Sequence, residues 1–573
     1  MEKMMTVWGE CLDKDRVLTE YPRPQFVRNS YINLNGSWRY AISKSANIPD
    51  RFDGDILVPF SPECPLSGVE KTVMPDDYLH YFRTFELPEG FHRGKVFLNF
   101  GAVDQICKVF VNNCFVGGHT GGYTPFTVDI TDALRNGINR LNVTVQDLSD
   151  TSYHSHGKQK MKRGGIWYTP QSGIWQTVWL ESTPVCHIDH IAITPDYDGG
   201  AVSFSVFHEG GERETAIQVF DGDKLVAEKI GINRIVLPLP EFKSWSPESP
   251  FLYDVVIKTD GEELKSYFAM RKFGICQDHD GVWRLELNNR PYFHNGVLDQ
   301  GYYPDGFLTP PSDEAMANDI RIMKSMGFNM LRKHIKIEPL RWYYHCDRMG
   351  MLVWQDMVNG GEAYGLEVSV IPFINIVLDD RKYKNFGRMD KNGRMQYVAE
   401  LKEMIRHLYN CPSIAMWVPF NEGWGQFDSR KVYDLIKKLD KTRTVDHASG
   451  WHDQGAGDFV SRHIYFTRIQ VKQYDKPYIL SEFGGLGFKE RGHMYGKDSF
   501  GYKMFQSKQS LFEAYSKLYI NSIIPQISKG LSATVYTQLT DVEDELNGFL
   551  TYDRKVNKFD VSEVKAINDM IVL

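Results

Sequence analysis

The apolar run Ile414-Ala-Met-Trp-Val418 gives way within three residues to Asn421-Glu422-Gly423. A run apolar at every position, not at alternate ones, is how a strand buried on both faces is written, and such strands belong to parallel sheets covered by helices. In a β/α barrel the residues just past a strand's C-terminal end face the active site. Alone, an Asn-Glu pair after such a run reads as an ordinary surface loop. A second stretch changes the weighing: Lys476-Pro-Tyr-Ile-Leu-Ser-Glu482-Phe-Gly-Gly is again an apolar run closed by Glu and then glycines.

From about residue 279 onward, helical periodicity alternates with such runs. Ser312 is placed to cap a helix whose apolar stripe is Met316, Ile320 and Met323 and which ends at Gly327. Strands are expected at Tyr292–Leu298, Asn329–His334, Met351–Asp356, the Trp417 run, Thr444–His447, Phe459–Tyr465, Tyr478–Glu482 and Ala533–Gln538. Eight is the count of a (β/α)8 barrel.

The chain before residue 279 reads as two antiparallel sandwiches. In the first, residues 1–183, alternating strands such as Tyr78–Leu87 and Asn139–Val145 are separated by Gly, Asn and Asp turns. In the second, residues 184–278, His187–Thr194, Val202–Phe207 and Phe251–Ile257 have the length and spacing of a small immunoglobulin-like domain. At 573 residues several domains are required, because single cores stop growing at about 250–300 residues.

Two carboxylates at the ends of parallel strands suit glycoside hydrolysis. One protonates the leaving oxygen, and the other attacks the anomeric carbon or activates water. Here the chain resembles glycoside hydrolase family 2, the retaining β-galactosidases and β-glucuronidases. Phe100-Gly-Ala-Val-Asp104, Gly117–Phe126 and Ser172-Gly-Ile-Trp-Gln-Thr-Val-Trp-Leu-Glu181 resemble the family's N-terminal jelly roll, and Trp245–Tyr253 a signature of its immunoglobulin-like domain. The resemblance implies Glu422 as general acid/base and Glu482 as nucleophile. It also implies a sugar contact by His334 and a hydrogen bond from Tyr465 to the nucleophile. Asn421, beside the acid, is placed to hold the sugar 2-hydroxyl, and Asp356, closing the third strand, either binds a hydroxyl or caps its loop. Trp424, Trp451 and Gln538 are candidates for lining the sugar site. The loop Gly164–Gln171 is a candidate to reach the barrel mouth.

Specificity departs from the familiar members. Glucuronidases of the family carry Asn-x-Lys before the last conserved Gly, whereas this chain has Glu545-Leu-Asn547 before Gly548. Six residues before Gly173, where galactosidases and glucuronidases have an acidic residue, stands Trp167. β-Galactosides are the first expected substrates and β-uronides the alternative, with Arg332, Lys333, Lys336 and Arg341 as cations that could grip a carboxylate or simply form a solvated rim. A carbohydrate-binding protein without catalysis, and a metal-dependent barrel hydrolase with Glu362 and Glu422 sharing a cation, are the other readings. The preferred reading calls for no cofactor and no metal.

Composition narrows the partners. A net charge of −7 argues against nucleic acid, and no stretch is long enough to span a bilayer. The eight cysteines lack CxxC spacing, and the first residues lack an apolar signal core. The expectation is a cytoplasmic protein acting on carbohydrate, with room for a homo-oligomer.

Overall fold

The computed structural model of the chain describes residues 3–370 and 376–573. The first sandwich packs a six-stranded sheet on a four-stranded one. Its strands alternate as the sequence does: in Gly36–Ser43, Trp38 and Tyr40 are buried while Ser37 and Arg39 face water. Trp38, Tyr81, Leu98, Val143 and Leu180 meet in its core. The second sandwich has sheets of three and four strands. Trp245 Nε1 donates to Asp347 O at 2.8 Å, and Tyr267 OH donates to Asp347 Oδ2 at 2.7 Å. Asn410 also donates to Ile191 O and accepts from Ile193 N. These polar ties fasten the second sandwich to the barrel.

All eight expected barrel strands are present and parallel: His294–Asp299, Met330–Lys333, Leu352–Asp356, Ile414–Val418, Thr444–Val445, Val460–Ile464, Tyr478–Gly484 and Leu531–Thr537. In chain order they line up as 5-4-3-2-1-8-7-6, one curled sheet whose fifth and sixth strands share no ladder. The fifth strand has only two residues, so other contacts join that seam. Asp458 N donates to Val445 O at 3.0 Å, Val445 N to Asp458 Oδ2 at 2.7 Å, and Ser461 Oγ to Asp446 Oδ2 at 2.7 Å. His334 and Gln538, expected as strand residues, each lie one position beyond their strand.

The helix Asp313–Ser325 starts where Ser312 Oγ accepts from Ala315 N, and it buries Met316, Ile320 and Met323. Gly327 follows at φ +86°, where a side chain would press on Asn568. Two connections are longer than a plain βα loop. One, 357–390, includes residues 371–375, which lie outside the described residues. The second, 484–505, carries the parallel-paired short strands Leu486–Phe488 and Lys503–Phe505.

The first sandwich also reaches over the barrel's strand ends. His156 N and Gly157 N both donate to Asn359 O at 3.0 Å. Gly157 sits at φ +64°, and a Cβ there would lie 3.2 Å from Ile335 O and 2.9 Å from Tyr123 OH. Only glycine fits so close an approach in that conformation. All eight cysteines are unpaired, and no helix among the described residues is long and apolar enough to cross a membrane.

Candidate active site

Arg332, in the second strand, is the hub of the barrel mouth and is fully buried. Its Nε and Nη2 clamp Asp356 at 2.9 and 3.0 Å, Nη2 also donates to Asn421 Oδ1 at 2.7 Å, and Nη1 donates to Glu482 Oε1 at 3.1 Å. One guanidinium thereby ties together the ends of the second, third, fourth and seventh strands. A planar fork with five donors is the side chain that can do this.

Glu482 takes its second donor from Tyr465, whose hydroxyl lies 2.6 Å from Oε2. The Tyr465 ring is stacked on Tyr502 with centroids 3.9 Å apart, and its hydroxyl lies 2.9 Å from Thr537 Oγ1. Glu422 sits in a left-handed turn, φ +51°, that prolongs strand pairing: its N–H donates to Ser449 O at 3.0 Å. A non-glycine residue held there carries local strain, which concentrates at functional sites. Burial raises the Glu422 carboxyl from its ordinary 4.5 to about 7, and the charges of Lys158 and Arg332 limit the rise.

His463 joins the two carboxylates. Its Nδ1 is 2.7 Å from Glu422 Oε1 and 3.6 Å from Glu482 Oε2. Its Nε2 lies 3.4 Å from Arg332 Nη1 and 3.2 Å from Ser449 Oγ. A guanidinium only donates, so Nε2 accepts and the proton sits on Nδ1, pointed at Glu422. Burial lowers this imidazole to about 4, which keeps it neutral. One nitrogen of His463 and one oxygen from each glutamate all lie within 4.8 Å of one another. That spacing could also hold a cation, but the guanidinium beside Glu482 opposes one electrostatically.

The remaining expected residues divide. His334 Nδ1 meets Gln300 Oε1 at 3.0 Å, and Gln300 Nε2 donates to Gln538 Oε1 at 2.8 Å. Three buried nitrogens, His334 Nε2, Asn421 Nδ2 and Gln538 Nε2, make no hydrogen bond of ordinary length among the described residues, although His334 Nε2 lies 3.6 Å from Glu482 Oε1 and its ring interacts with Asn421. Buried polar groups in that condition suit a polar ligand. Trp424 is buried with its ring 5.1 Å from Trp167, so the first sandwich's loop does reach the mouth. Trp451 is half-buried, 6.4 Å from the His463 ring.

Asp356 is clamped by Arg332 through both its oxygens, which leaves each oxygen one lone pair. Several other expectations are corrected. Arg332, Lys333 and Lys336 are no solvated rim: they are 0%, 0% and 1% exposed. Lys333 pairs with Asp299 and Glu338, and Lys336 with Glu338, so neither is free to grip a carboxylate. Arg341 pairs with Asp313. Glu362 is exposed and joins no ligand cluster with Glu422 among the described residues. At Glu545-Leu-Asn547 the two polar side chains bond to each other at 3.1 Å, and Tyr168 OH donates to Glu545 at 2.6 Å. Sequence reasoning missed His463, although it stands near the end of the sixth strand, two residues before Tyr465, and both side chains meet Glu482.

A sandwich, a second sandwich and a barrel with paired glutamates at its strand ends define a multidomain barrel hydrolase of carbohydrate type. Three sequence profiles agree: "Glycosyl hydrolases family 2, sugar binding domain" over residues 63–184, "Glycosyl hydrolases family 2" over 186–275, and "Glycosyl hydrolases family 2, TIM barrel domain" over 287–558. The chain belongs to glycoside hydrolase family 2. It is 26% identical over 499 residues to a β-galactosidase of Leuconostoc mesenteroides, covering 78% of this chain and 44% of that one. Solved structures of similar fold include a β-D-glucuronidase of Dictyoglomus thermophilum (TM-score 0.75, 18% identity, 96% and 99% coverage). A β-galacturonidase of Eisenbergiella tayi bound to galacturonate is another (TM-score 0.73, 20% identity, 97% and 99% coverage). The chain spans about half the length of the curated relatives it matches.

Proposed function

We propose that the chain is a retaining exo-β-glycosidase in which Glu482 attacks the anomeric carbon and Glu422 serves as acid and then base. The observation that carries this reading is the shared His463, with one oxygen of each glutamate within 4.8 Å of the other. Retaining enzymes hold their two carboxyl groups about 5–5.5 Å apart, whereas inverting ones leave room for a water. Arg332 and Tyr465 aim the Glu482 oxygens. Glu422, lifted to about 7 by burial, is protonated in about half the molecules at pH 7, and that form gives its proton to the leaving oxygen. Once Glu482 is esterified its negative charge is gone, and Glu422 then takes a proton from the water that hydrolyses the ester.

Asn421 Nδ2 and His334 Nε2 are placed to bind hydroxyls of the sugar. The similarity to β-galactosidases makes β-galactosides the first substrates to assay. Aryl β-glycosides test the reading: Glu482→Gln should bind sugar yet lose turnover by at least about a thousandfold, whereas unchanged turnover would dismiss it. A chelator should leave activity intact, and loss on chelation would favour a metal-dependent hydrolase.

A further inference from the structure

Among the described residues, one buried cation at the barrel mouth is unmatched. Lys158 comes from the first sandwich and is 5% exposed. Its Nζ lies 5.6 Å from the centroid of Trp424 and 5.5 Å from that of Tyr168. Its loop is fixed by the His156 and Gly157 bonds to Asn359 and by the close approach of Gly157 to Ile335, next to His334. The ammonium is near enough for its charge to lower the proton affinity of both Glu422 and His334. It forms no salt bridge and no side-chain hydrogen bond among the described residues.

Its neighbours show how unusual that is. Arg332, Lys333 and Lys336 are each paired with buried carboxylates. Arg163 bridges Glu543 and Asp544, and Glu545 is held by Tyr168 and Asn547. Glu422 turns to His463 instead. A buried ammonium held only by aromatic faces still lacks the hydrogen-bond acceptors and countercharge that make such burial favourable.

We propose that Lys158 is a carboxylate-binding site for substrate, so that the enzyme acts on acidic glycans. The carboxylate belongs to the sugar being removed, as in a β-uronide, or to the group to which that sugar is linked. This rests on the retaining-glycosidase reading of the same mouth. It places carboxylate recognition on the first sandwich, away from Asn547, where the lysine of the family's glucuronidases is missing.

The test compares aryl β-glucuronide, β-galacturonide and β-galactoside with an aryl β-galactoside that carries a carboxylate on its aglycone, using wild type, Lys158→Met and Lys158→Arg. The expected result is a preference for one carboxylated class over the neutral galactoside. Removing one partner of a desolvated charge pair should reduce that carboxylated-to-neutral ratio of kcat/KM about 30-fold or more in Lys158→Met. Lys158→Arg should retain part of the ratio. Uronide preference assigns the carboxylate to the glycone, and preference for the acidic aglycone assigns it to the leaving group. A neutral preference in wild type, or an unchanged ratio in Lys158→Met, overturns the assignment while leaving the glycosidase reading in place. Absence of turnover on every substrate, with no binding of galactose, glucuronate or galacturonate by Glu482→Gln in calorimetry, removes the underlying reading and the proposal with it.

Discussion

Replacing Glu422 by Gln should have two linked consequences that follow from its burial. The folded protein holds the Glu422 proton up to about 7, against an ordinary 4.5. At about 1.4 kcal/mol per pH unit, that gap corresponds to about 3 kcal/mol. The sign follows from the raised affinity: the folded state binds the proton more tightly, so this contribution to stability is fully present below about pH 4.5. It is lost as pH rises through about 7. Glutamine cannot ionise, so Glu422→Gln should gain stability relative to wild type across that interval, by up to about 3 kcal/mol. Denaturant titrations of both proteins at pH 4.5 and 8.5 measure the difference. Activity should move the opposite way. The alkaline limb of wild-type kcat/KM should bend near pH 7, while Glu422→Gln should lose the bend and about 10²–10⁴-fold in rate on substrates with poor leaving groups. An activated aryl glycoside should suffer less in its bond-breaking step because its leaving group needs no proton. A variant that retains the bend, or whose stability relative to wild type is the same at both pH values, would refute the reasoning.

Tyr465→Phe removes one of the two donors on Glu482, a hydrogen bond to a charged group worth about 1.5–3 kcal/mol, so kcat/KM should fall about 10–100-fold with the fold intact by circular dichroism. Arg332→Met leaves Asp356 and Glu482 buried without their cation and should cost about 3–5 kcal/mol in denaturant unfolding. Adding Asp356→Asn to Arg332→Met should recover part of that loss, because one stranded charge is removed.

The barrel was legible because its signal is local. The third, fourth and seventh strands begin as apolar runs, and Asp356, Glu422 and Glu482 close or follow those runs within a few residues. The helix at Asp313–Ser325 was equally local, marked by Ser312 and a stripe of methionine and isoleucine. The charge cluster Arg332-Lys333-His334-Ile335-Lys336 was misread as a rim because runs of cations are usually solvated. Its burial depends on Asp356 and Glu482, which lie 24 and 150 positions away from Arg332. Lys158 gave no signal for the same reason: its position follows from a loop of one domain closing on another. The fifth strand was expected to be longer, but at that seam one backbone bond and the side chains of Asp446, Asp458 and Ser461 stand in for a ladder.

The proposed double displacement requires Glu482 to become covalently bonded to the sugar. Glu422→Ala, incubated with a dinitrophenyl β-glycoside of the preferred sugar, should accumulate that bond, because the base for its hydrolysis is gone while the leaving group needs no acid. Peptide mass mapping after acid quench should find one glycosyl unit on the peptide containing Glu482. An adduct on any other residue, or full turnover with inversion at the anomeric carbon and no adduct, would contradict the account.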